Sequence, residues 1–77
     1  MPTEPLPPWV LEARQRVGDR VREARTARGW SQEHLAHVAG LDRKTIYRIE
    51  RAQYSTRIDH LVMVAAALGV PIGSLFS

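Results

Sequence analysis

The stretch "DRKTIYRIER", residues 42–51, places four basic side chains, Arg43, Lys44, Arg48 and Arg51, among the hydroxyls of Thr45 and Tyr47. Ile46 and Ile49 stand three apart, the step that returns a helix to the same side. With both isoleucines turned inward, the cations face out together, at a density beyond what solubility requires. Something anionic is expected to lie against them. An arginine fork can donate two parallel bonds to O6 and N7 of guanine, a contact worth about 1–3 kcal/mol of base discrimination. Thr45 can offer a methyl to thymine or a hydroxyl to phosphate, and Tyr47 can donate to phosphate or pack sideways on the domain. The plain alternative for each cation is a solvated surface charge.

Other chemistries find little support. His34 and His37 lie three apart, but there is no cysteine and no His-Glu-x-x-His pattern, so a metal site lacks ligands and surface histidines are expected. Ser31, Ser55 and Ser74 each have a capping or loop explanation, and no glycine-rich phosphate loop is present. No enzyme, cofactor or small-molecule ligand is expected.

At 77 residues the chain is sized for one small domain, with a modest core and some expectation of oligomerisation. Hydrophobic residues at 44% and charged residues at 25% are ordinary for a globular domain, and a net charge of +3 favours an anionic partner. Ten of the eleven basic residues are arginine, which suits phosphate recognition but also follows from a GC-rich genome. No apolar run approaches the roughly 20 residues of a membrane span, and the N-terminus lacks the pattern of a signal peptide. No membrane association is expected, and a cytoplasmic location is. Residues 1–8 hold four prolines and read as a flexible arm, leaving residues 9–77 as the domain.

The elements that must position the basic face follow from periodicity and caps. Val10, Ala13, Val17, Val21 and Ala24 form one stripe of a helix over residues 9–28, with Gly18 as a kink or a seam and Gly29 as its C-terminal stop. Ser31 caps a second helix whose inner face is Leu35, Val38 and Ala39, and Gly40 closes it. Asp42 caps the third. Residues 52–55 form a loop, and Thr56 with Asp59 suggests a variant capping box. The fourth helix is expected to bury Ile58, Leu61, Val62, Val64, Ala65 and Leu68; Gly69 stops it and Pro71 begins a last helical turn. No strand is expected. The fold class is all-α, with about five helices.

Two short helices joined by a tight turn at residues 31–51 meet the demands of a helix-turn-helix. Ala36 is small enough for the crossing, Gly40 tolerates positive φ, and Leu35, Ala39, Leu41, Ile46 and Ile49 are apolar where the pair must face inward. The segments "SQEHLA", "GLDRKTIYRIER" and "ALGVPIGSLF" resemble the Cro/lambda-repressor-like, or XRE-type, helix-turn-helix family, and the similarity runs over residues 17–76. "LDRKTIYRIER" is also similar, more weakly, to small restriction–modification controller proteins. Residues 9–16 lie outside the common pattern. Ala52 stands where the family usually has Gly, and Ser55 and Thr56 where an Asn-Pro pair is common.

The resemblance implies a compact five-helix lambda-repressor-like domain that binds double-stranded operator DNA as a homodimer on a near-palindromic site, acting as a repressor or autoregulator without cofactor. Arg43, Lys44, Thr45 and Arg48 would read bases. Gln32, at a helix N-terminus where free N–H groups favour phosphate, would hold the backbone together with Tyr47, Arg51, Gln53, Tyr54 and Arg57. Arg25 and Glu50 look like the family's structural ion pair. Ile72, Leu75 and Phe76 are dimerisation candidates, with closure of the domain's own core as their alternative. The rival expectation is a protein-interaction module of the same fold, an antitoxin or bridging factor.

Overall fold

The computed structural model describes residues 5–77, and the expectation of a flexible arm falls partly on residues 1–4, outside the described residues. Helix α1 spans Pro8–Ala27. It therefore takes in the last residue of the expected arm: proline at the first helical position has no N–H that the helix needs. Gly29 follows in the left-handed conformation at φ 70°. Helix α2 is Gln32–Ala39, capped by Ser31, whose Oγ accepts the His34 N–H at 3.0 Å. Gly40, at φ 77°, turns the chain, and the Leu41 N–H reaches back to the Ala36 carbonyl at 2.9 Å. Helix α3 is Arg43–Arg51 and opens on the Asp42 carboxylate, which accepts the Thr45 N–H at 2.8 Å. Helix α4 is Ile58–Leu68.

The expected fifth helix is absent as an α-helix. Ile72–Phe76 instead form a 3₁₀ turn, with the Ser74 N–H bonded to the Pro71 carbonyl at 3.0 Å. A five-residue piece is too short for a run of i→i−4 bonds, and the tighter i→i−3 pattern closes it. The fold is thus four α-helices and a terminal 3₁₀ turn, with no strand among the described residues.

Leu35, Ile46, Leu68, Leu75, Val21 and Val64 are the largest fully buried side chains and fix the centre of the core. α1 packs on α3 and on the terminal turn, while α2 packs on α3 and α4. α3 is thereby braced from two sides.

Three expected core residues are outside it. Val38 is 45% exposed, Ile58 60% and Val62 52%. On α4 the inward row is Leu61, Val64, Ala65 and Leu68. Val62 points about 100° away from Leu61, and Ile58 precedes the first inward residue. Nor does the Thr56–Asp59 capping box form: Arg57 is the N-cap, and no side chain caps the helix.

Gly18 does not divide α1, which runs unbroken through it. A Cβ built there would lie 2.6 Å from the Ile49 carbonyl oxygen and 2.9 Å from that of Glu50. The glycine lets the middle of α1 touch the end of α3 backbone to backbone. Helix propensity alone favours Gly18→Ala by about 1 kcal/mol, but overpacking costs about 1–3 kcal/mol and here meets carbonyls that cannot rotate away. Gly18→Ala is therefore expected to lower the melting temperature in a thermal unfolding experiment; a rise would show that the helices separate freely.

Candidate nucleic-acid interface

α3 sorts its side chains by angle. Ile46, Ile49 and Glu50 are buried, Thr45 is half-buried, and Arg43, Lys44, Tyr47, Arg48 and Arg51 are exposed. At 100° per residue, the five exposed positions share an arc of about 140°. The structure thus brings the sequence-expected cations together on one open face. Asp42 sits at the head of that face with its carboxyl held below the usual carboxylate range, chiefly by the Thr45 hydrogen bonds and secondarily by Lys44 and Arg48. A lowered carboxyl stabilises the fold above its unfolded value of about 3.9, and that support is lost as pH falls through the folded value. The cap is therefore fully charged at neutral pH.

Two of the arginines rest on tyrosines. The Arg48 guanidinium lies 5.0 Å from the centroid of Tyr54, and that of Arg51 lies 5.7 Å from Tyr47. Gln53, Tyr54 and Arg57 are exposed in the loop after α3. Thr45, Arg48, Tyr54, Ser55, Arg57 and His60 help line a concavity of about 240 Å³ beside that face.

The base of α3 is fastened by Glu50. Its carboxylate, 1% exposed, accepts from Arg25 Nε at 2.7 Å and Nη2 at 2.9 Å, a bidentate fork, and from Gln32 Nε2 at 3.1 Å. Arg25 also donates to the Trp30 carbonyl at 2.8 Å. Hydrogen bonding to Glu50 raises the Arg25 pKa above its ordinary value, against the opposing effect of burial. Gln32 is thus held by Glu50 through one of its two Nε2 hydrogens.

Three arginines outside the expected set also matter. Arg22 lies 3.6 Å from the Glu50 carboxylate and donates to the Glu50 carbonyl at 3.1 Å. Its spacing of three from Arg25 put both on one side of α1, a signal the sequence did carry. Arg28 donates to the Leu68 carbonyl at the end of α4, and its guanidinium lies 5.2 Å from the Trp30 ring centroid. Arg14, in the segment ahead of the common pattern, donates to Ser55 Oγ at 3.2 Å.

Ala52 ends α3 at φ 57°, the single positive φ among the described non-glycine residues. An L-residue there costs about 1–2 kcal/mol, partly offset in a glycine variant by about 0.4–1 kcal/mol of unfolded-chain entropy. Ala52→Gly is expected to raise the melting temperature by a few degrees; no gain in a thermal melt would mean that the strain is relieved elsewhere.

The dimerisation candidates divide. Leu75 is 1% exposed and belongs to the domain's own core, so it has no area to give a second copy. Ile72 is half-buried, and Phe76 is exposed. Among the described residues no cluster of three or more His, Cys, Asp or Glu side chains could hold a metal, and no helix is long and apolar enough to cross a membrane.

These features coincide with a known family. The helix-turn-helix family model matches residues 21–75, and the chain belongs to this XRE-type family. It is 42% identical over 50 residues to a Neisseria hypothetical transcription factor of Neisseria meningitidis serogroup B, covering 65% of this chain and 47% of that one. Among solved structures it resembles the restriction-modification controller protein C.AhdI from Aeromonas hydrophila, at 38% identity and a TM-score of 0.80. That likeness covers 86% of this chain and 96% of the controller. It also resembles the hypothetical transcription factor NHTF from Neisseria at 35% identity and a TM-score of 0.81, covering 100% of this chain and 86% of that one. The last match includes residues 9–16, ahead of the family model's span. The chain spans about half the length of the curated relatives it matches first.

Proposed function

We propose that this chain is a sequence-specific double-stranded-DNA-binding transcriptional regulator, a repressor or autoregulator of cytoplasmic location, that places α3 in the major groove. Arg43, Lys44, Thr45 and Arg48 read base edges. Gln32, Tyr47, Arg51, Gln53, Arg57 and the Tyr54 hydroxyl meet the phosphates. Residues 9–77 are the binding domain. The observation that carries this reading is the shared outward arc of Arg43, Lys44, Arg48 and Arg51 on a helix braced from behind. The names of its relatives, a transcription factor and a controller protein, agree with it.

A homodimer on a near-palindromic site would set two copies of α3 about 34 Å apart, one turn of duplex. Exposed Phe76 and half-buried Ile72 remain as candidates for that contact, and exposed Ile58 and Val62 share a side of α4 that could add to it. The same exposed apolar residues favour the rival reading, a module that binds a protein partner.

Selection from a pool of random duplexes decides between them. A single enriched and symmetric site is expected; a pool that stays random would leave the rival in place. Phosphate neutralisation predicts a further result: Arg51 and Arg57 of two copies would neutralise about four phosphates, so affinity falls by about a hundredfold between 50 and 200 mM salt. A flat salt response would remove the electrostatic mechanism.

A further inference from the structure

We infer that Tyr54 is a positioning residue for Arg48: its ring, separately from the phosphate contact of its hydroxyl, is what base discrimination by Arg48 depends on. The inference rests on the functional reading above and deepens it.

An exposed arginine on a helix samples many rotamers, and docking to a base edge must select one of them. Arg48 is exposed and lies in the outward arc of α3, yet its guanidinium is over the Tyr54 ring, 5.0 Å from the centroid. The five N–H donors of a guanidinium fan out in its plane, so a ring on one side of the group leaves the donors that point away from it free to bond. The ring therefore restrains the side chain without consuming what it reads with.

For the restraint to work, the ring must itself be held. The loop carrying Tyr54 is tied at two points. On one side the Ala52 N–H bonds to the Ile49 carbonyl at 3.2 Å; on the other, Arg14 of α1 donates to Ser55 Oγ at 3.2 Å. Arg48 and Tyr54 line the same concavity, with Thr45 and Ile49 from α3 beside them. The segment of α1 ahead of the family pattern thus braces the loop, and the loop's tyrosine holds the arginine.

An exposed cation–π contact changes a population by about two- to fivefold. Three variants in the full chain test the proposal: Tyr54→Phe, Tyr54→Leu, and Tyr54→Leu combined with Arg48→Ala. In the free protein, NMR should show the side-chain protons of Arg48 shifted upfield by the ring in the wild type and in Tyr54→Phe, with the shift lost in Tyr54→Leu. On the selected duplex, Tyr54→Leu should weaken discrimination at one base pair by about two- to fivefold, Tyr54→Phe should retain it, and Tyr54→Leu should do nothing further once Arg48 is alanine. The proposal is overturned if the ring shift is missing from the wild type, if Tyr54→Phe loses as much as Tyr54→Leu, or if Tyr54→Leu acts equally without Arg48. A wild type that selects no duplex at all overturns the functional reading instead, and the NMR shift still decides the stack by itself.

Discussion

Glu50→Ala is expected to lower the unfolding free energy by about 3–5 kcal/mol, the cost of leaving one partner of a buried ion pair without the other. The carboxylate is 1% exposed and the Arg25 side chain 12%, so water cannot readily replace what is lost. Arg25 would keep its bond to the Trp30 carbonyl but lose both arms of the fork. Gln32 would lose its holder, and Arg22 would keep only its bond to the backbone carbonyl. Small domains have total stabilities at the low end of about 5–15 kcal/mol, so the variant should approach global unfolding at moderate temperature. At about 4–8 °C per kcal/mol, the melting temperature should drop by at least about 12 °C. Combining the variant with Arg25→Ala should cost much less than the sum of the two single changes. An unchanged melting temperature would show that the pair does not hold the fold.

The second large effect concerns binding alone. Arg43→Glu together with Lys44→Glu should reduce affinity for the selected duplex by at least about a hundredfold, since each lost contact is worth about 1–3 kcal/mol and each new carboxylate is repelled by phosphate. Folding is not the explanation for such a loss. Both side chains are exposed, and both occupy the first turn of α3. Negative charge is favoured at the positive end of the helix dipole, which offsets the lost attraction of Lys44 for the Asp42 cap, so the variant should melt within a few degrees of the wild type. Retained operator binding in a protein that melts normally would refute the assignment of α3 to the groove. Loss of binding with an intact fold is the expected result.

How far the sequence carried these arguments depends on whether each feature is local. The caps Ser31 and Asp42 and the left-handed glycines at 29, 40 and 69 were legible because each acts within one turn of its own position. The exposed arc of α3 was legible because Ile46 and Ile49 fix the helix phase. Periodicity gives a face but not the extent of what covers it, and this misplaced Val38, Ile58 and Val62. Leu75 was ambiguous for a related reason: an apolar residue near a chain end looks the same whether it closes its own core or meets a second copy. Arg22 shares a side of α1 with Arg25, but the acceptor it reaches lies 28 positions away and leaves no local mark. Gly18 carried no sequence signal for its role, since a contact between two backbones leaves no side-chain pattern behind. The Tyr54–Arg48 stack depends on the path of a loop, which residue types alone did not determine.

The missing Cβ at Gly18 also bears on how the domain tolerates change. Spacing between packed helices usually follows the side chains at the crossing, and drifts as those side chains vary. Between α1 and α3 there is no side chain at the closest point, only main-chain atoms of invariant size. Substitutions elsewhere in the core can displace α2, α4 or the terminal turn, but they have little purchase on this separation. The seat of α3 on α1 is thus set by peptide dimensions, and sequence drift in the interior can proceed without tilting the surface that faces outward.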